Sequence, residues 1–170
     1  AWSFRHMQQD DGGSVYLRLS TRSLQQPKRK MDAALKAGIR AGGYWRIRPG
    51  QKSLKPVVVY AGAIAPEAEA AALKLGGGLL AVTSADRLFE DWRAHGAAAH
   101  LSKILAGVPK AAPLVTVLDG HPAALAWLGS VDGRRVHPLG VDRFGQCGDL
   151  EALYREYGID AAAIAAAAKE

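Results

Sequence analysis

Short apolar runs alternate with amphipathic stretches through most of the chain, and that rhythm predicts the elements. "GYWRI" (43–47) alternates like a half-buried strand. "PVVVYAG" (56–62) is apolar throughout, as in a strand covered on both faces. "LLAVTS" (79–84), "LVTVLD" (114–119) and "RVHPLGV" (135–141) complete a set of strands. Helices are expected between them: "APEAEAAALKL" (65–75), with Pro66 at its start and Gly76 at its end, "ADRLFEDWRAH" capped by Ser84, "AAHLSKILAGV" and "PAALAWLGS", with "DLEALYREYG" last. Upstream, residues 1–9 read as the end of a helix. "SVYLRL" (14–19) reads as a strand, and a helix is expected around 28–40, closed by Gly42 and Gly43.

Strands alternating with helices give an α/β sheet covered on both faces. The loop 48–55 is too short for a parallel crossover, which needs a dozen or more residues, so "GYWRI" and the next strand are expected to be antiparallel or not adjacent, in a mixed sheet of four parallel strands with one antiparallel strand at an edge. "SVYLRL" is expected to close a preceding domain.

Composition narrows the classes. The 170 residues are 49% hydrophobic and 22% charged, the profile of one globular domain. No apolar run approaches a membrane span. "AWSFRHMQQDDGG" is polar almost at once and begins on alanine, so the chain is expected to be a fragment of a cytoplasmic protein with no membrane partner. One cysteine excludes an internal disulfide and a Cys-rich metal site.

The net charge of +6 is unevenly spread. Residues 18–55 hold eleven Lys/Arg against Asp32 alone, while the remainder nets −4. Such a stretch suits a nucleic-acid surface, an acidic partner or another part of the same protein. With aromatic interleaving limited to Tyr44 and Trp45 and no reading motif present, nucleic acid is not the expected partner.

Candidate chemistry is sparse. Gly62 sits at a strand-to-helix turn that lacks both a G-x-G-x-x-G and a P-loop lysine. Asp119 and His121 end a strand, where acid–base work and a capping or interface role are both open, the latter favoured. The histidines show no metal-ligand spacing. Cys147 precedes a helix start at Asp149, and a small residue in a tight turn outweighs a reactive thiol. Arg22, just past a strand end, is the best candidate for gripping an anion, against a solvated arginine at even weight.

Several segments together resemble the transketolase family of thiamine-diphosphate enzymes. In "LGVDRFGQCGDLEALYREYGID" the residues Gly140, Asp142, Phe144 and Gly145 match its closing turn, and Tyr157, Gly158, Ile159 and Asp160 follow. "GIRAGGYWRI", "AVTSADRL" and "SVYLRLSTRSL" sharpen the resemblance toward the homodimeric decarboxylating component of pyruvate dehydrogenase. The resemblance implies a three-layer α/β/α domain with a five-stranded mixed sheet whose first strand is antiparallel. It divides the chain into a pyrimidine-domain tail with a basic connector (1–42) and a transketolase-type carboxy-terminal domain (43–170).

It further implies a homodimeric parent that binds thiamine diphosphate and Mg²⁺ through earlier domains, decarboxylates a 2-oxo acid and passes the acyl group to a lipoyl domain on a dihydrolipoyl acyltransferase core. This chain alone is then expected to hold neither cofactor and no catalytic residue. In transketolases a strand-end arginine contacts the sugar phosphate, and Arg22 lies one residue later than that position. The pyruvate branch does not keep it, so a transketolase or deoxyxylulose-phosphate synthase stands as the alternative, and a non-catalytic docking module as a third.

Overall fold

The computed structural model describes residues 2–145 and 147–169. Five strands form one sheet: β1 (Gly43–Ile47), β2 (Val57–Ala61), β3 (Gly78–Val82), β4 (Leu114–Leu118) and β5 (Val136–Leu139). They lie in the order β1-β3-β2-β4-β5, with β1 antiparallel to β3 and the others parallel. The mixed sheet and its antiparallel edge strand are those expected from the sequence. The helices are α1 (Trp2–Met7), α2 (Ala33–Ala41), α3 (Ala65–Leu75), α4 (Ala85–His95), α5 (His100–Leu105), α6 (Ala123–Ala126), α7 (Leu150–Glu156) and α8 (Ala161–Ala167).

Strand side chains alternate between two cores, as the two-residue period demands. Val58, Tyr60, Val115 and Val117 face one side and meet Ala68, Ala71 and Ala72 of α3, Tyr154 of α7 and Ile164 of α8. Val57, Val59, Leu114 and Leu118 face the other and meet Leu88 of α4, Leu101 and Leu105 of α5, and Leu125 of α6. Continuous apolar strands are thus explained: both faces are covered.

Helix ends follow from local chemistry. Asp32 caps α2 by accepting from the Leu35 N–H at 2.8 Å, and so starts it later than the basic run suggests. Gly42 ends it at φ +107°, in the left-handed region. Ser84 occupies the cap position of α4, but its hydroxyl donates to Asp86 instead of accepting from the helix.

Two expectations need correction. "SVYLRL" forms no strand: residues 14–19 have no ladder partner among the described residues, and Tyr16, Leu17 and Leu19 are 87%, 66% and 82% exposed. Alternation permits pairing but cannot supply the neighbouring strand. Conversely, α8 was not expected, because "AAAIAAA" has a single large apolar residue and hence no periodic contrast. Asp160 caps it by accepting from the Ala163 N–H at 2.7 Å, and its small side chains let it lie close against α3.

Candidate functional site

The strands connect so that one crevice opens at the carboxyl edge. α3 carries the chain from β2 to β3 across one face, whereas α4 and α5 carry it to β4, and α6 to β5, across the other. The chain therefore leaves the neighbouring strands β2 and β4 toward opposite faces, the arrangement at which open α/β sheets bind ligands. Register aligns Ala61 with Val82 and with Leu118, so Gly62, Thr83 and Asp119 emerge at one level. A groove of about 670 Å³ lies there, walled by these strand ends and by residues 14–20 of the segment before α2.

Gly62 turns the chain at φ +81°, and a side chain on it would meet Asp119 Oδ1 at 2.8 Å. The Asp119 carboxylate is engaged by Arg18, whose Nη2 donates to the Asp119 carbonyl at 3.1 Å and to Oδ2 at 3.4 Å. Arg22 reaches the start of α3. Its Nη1 donates to Glu67 Oε2 at 3.2 Å and to the Ala63 carbonyl at 3.2 Å, and its Nη2 donates to Glu67 Oε1 at 3.0 Å. The guanidinium also stands 5.7 Å from the ring centre of Tyr154. This fork-on-carboxylate pairing holds Arg22 more firmly in its charged form, chiefly through the hydrogen bond to Glu67. Burial is the main reason that the Tyr154 hydroxyl titrates above its ordinary range, with the Glu67 charge next.

His121 lies beside Asp119 in the chain, but its Nδ1 accepts from the Ala123 N–H at 3.3 Å at the start of α6. The structure thus brings Arg22 and Asp119 to one edge and turns His121 to a capping role. Gly140 sits where the loops after β4 and β5 cross, and the Val141 N–H donates to the Gly120 carbonyl at 2.8 Å. Beyond it, Asp142 lies 3.8 Å from Arg143, which reaches Glu156 at 2.7 Å. Phe144 is fully exposed, Gly145 turns at φ +107° and Cys147 is exposed. Gln146 of the same turn lies outside the described residues. Asp149 caps α7 through the Ala152 N–H at 2.8 Å. Among the described residues no group of three or more His, Cys, Asp or Glu could hold a metal ion.

Sequence reasoning missed Glu67 and Arg18. Glu67 carried a local signal, an acid in the first turn of a helix, which marks it as favourable there but does not reveal its partner 45 residues away.

No protein-family model matches the chain. A plasmid transketolase of Cupriavidus necator is 33% identical over 162 residues, 95% of this chain and 22% of that protein. The transketolase of Leishmania mexicana superposes with a TM-score of 0.56 at 22% identity, over 78% of this chain and 18% of that one. A split-gene transketolase, solved as an inactive beta4 tetramer, superposes with a TM-score of 0.51 at 20% identity, over 76% and 41% of the two chains. This chain spans about a fifth of the curated relative that it matches. The chain is therefore a transketolase-like α/β domain in fold, and it is similar in sequence to a transketolase over nearly its whole length.

Proposed function

We propose that the chain is the supporting carboxy-terminal domain, with its connector, of a thiamine-diphosphate-dependent enzyme that decarboxylates a 2-oxo acid, pyruvate first among them. Residues 1–42 are the tail of the preceding domain and the connector, and residues 43–170 the domain proper. The cofactor, with Mg²⁺, supplies carbanion stabilisation when bound. The groove described above does not fit a diphosphate, because Asp119 and Asp86 line it with carboxylates and Arg18 is already engaged. The cofactor thus belongs to segments beyond these residues, and this chain's part is to position them. The parent acts as a cytoplasmic homo-oligomer and passes its acyl group to a lipoyl domain.

The observation that carries the choice of substrate is the state of Arg22. A sugar phosphate held by Arg22 would need that fork open, and the Arg22 fork is closed on Glu67 and Ala63. A 2-oxo acid makes no demand on it. The second reading, a transketolase acting on sugar phosphates, is favoured by the curated relative. Thiamine-diphosphate- and Mg²⁺-dependent turnover of pyruvate, 2-oxobutyrate and a ketose phosphate by the full-length protein separates the two. Turnover of a 2-oxo acid is expected. Turnover of the ketose phosphate alone would replace this proposal with the second reading.

A further inference from the structure

Apart from Arg22, the basic stretch 18–55 has no place in the chemistry above, yet three of its arginines end on carboxylates beyond it. Arg18 meets Asp119, Arg22 meets Glu67, and Arg46 meets Glu69 at 2.8 Å. Two of these, four residues apart, belong to the irregular segment between α1 and α2, which crosses the carboxyl ends of β2 and β4. We propose that the crevice at this edge is a socket for the chain's own connector, residues 14–24, read by Arg18 and Arg22 as two charged plugs.

The contacts favour a socket over a small-molecule site. Arg22 makes two parallel bonds to Glu67, a third to the Ala63 carbonyl, and lies against Tyr154, with its side chain 29% and that of Glu67 18% exposed. Arginine is the residue for such a site, since a lysine would offer a point charge without the fork. Arg18 grips Asp119 through both the backbone carbonyl and the carboxylate. Between the plugs Leu19 points outward, as do Tyr16 and Leu17 before them. Apolar burial therefore contributes little, and the connector is held by its charges. Polar attachment of this kind is weakened by salt and opens without unfolding the sheet. The same pairing accounts for part of the charge asymmetry: arginines of the cationic stretch meet acids from the part of the chain outside 18–55, which nets −4. What it fixes is the register of everything upstream of Arg18 against the sheet edge.

The test keeps the tryptic bonds after Arg18 and Arg22 intact and changes only their partners. Glu67→Gln with Asp119→Asn in the whole chain should accelerate cleavage after Arg18 and Arg22 by about tenfold, while cleavage at Lys110 and the thermal midpoint change little. Equal cleavage rates in variant and wild type would overturn the socket. If the double variant folds poorly, the wild type answers alone: raising NaCl from 0.05 to about 1 M should speed the same two cleavages relative to Lys110, and salt independence would overturn the proposal. Neither readout depends on which substrate the parent uses, so a failure here is distinct from a failure of the turnover test.

Discussion

Arg134→Ala is expected to destabilise the domain by about 3 kcal/mol, since it removes a buried guanidinium with the three hydrogen bonds it donates and leaves a cavity in its place. The Arg134 side chain is 2% exposed and precedes β5. Its Nη2 donates to the carbonyls of Leu105 at 3.0 Å and Val108 at 2.8 Å, and its Nη1 to that of Pro109 at 3.0 Å. These carbonyls end α5 and the turn after it; the Val108 and Ala112 N–H groups already donate to those of Leu105 and Pro109, at 2.9 and 3.0 Å, and the guanidinium adds a second bond to each. A cation there also complements the helix's negative end. Burial pulls the Arg134 titration below its ordinary value, with Asp132 at 3.7 Å opposing that shift. Chemical denaturation should show the loss as a lower midpoint at an unchanged slope. A loss under about 1 kcal/mol would mean that water replaces the guanidinium, contrary to its burial.

Gly140→Ala should cost about 2–3 kcal/mol, for a different reason. A methyl group at this position would stand 2.4 Å from the Gly120 carbonyl oxygen and 2.9 Å from the Pro122 nitrogen. Both are backbone atoms, so no rotamer relieves the clash, and the loops after β4 and β5 must separate. That movement would break the bond from the Val141 N–H to Gly120 and disturb Asp119, on which Arg18 rests. Gly145→Ala in the same turn is the control. There φ is +107° but nothing lies within 4 Å, so only backbone strain of about 1 kcal/mol applies. Thermal denaturation of the two variants should rank them in that order. Equal losses would place the role of Gly140 in backbone conformation and not in close approach.

The two glycines also show what the sequence made legible. The closing turn was visible as a motif, but the reason for Gly140 is a contact with a loop twenty residues earlier that no local pattern encodes. The sheet was readable because "VVVYA", "GLLAV" and "LVTVL" are short, almost wholly apolar and rich in β-branched residues between turn signals, which suits strands buried on both faces. The length of loop 48–55 ruled out a parallel crossover between β1 and β2, and the structure resolves this by placing β1 beside β3 instead, antiparallel at the edge. Residues 14–19 misled because their alternation and β-forming side chains state a capacity for pairing, whereas the structure lays them as an irregular exposed segment anchored by Arg18. α8 escaped because alanine carries no contrast between faces. At the candidate site, Arg22 was legible as an arginine past an apolar run. Its partner was not, because an acid 45 residues away enters only through the crossing of β2 into α3.

Assigning this chain to a supporting role places the thiamine chemistry on segments outside it. Calorimetric titration of thiamine diphosphate with Mg²⁺ tests that division most directly, with the full-length protein and the isolated 170 residues compared side by side and folding checked by circular dichroism. Stoichiometric uptake by the full-length protein and none by the folded isolated chain is the expected result. Uptake by the isolated chain would contradict the account and move the cofactor into the crevice between β2 and β4.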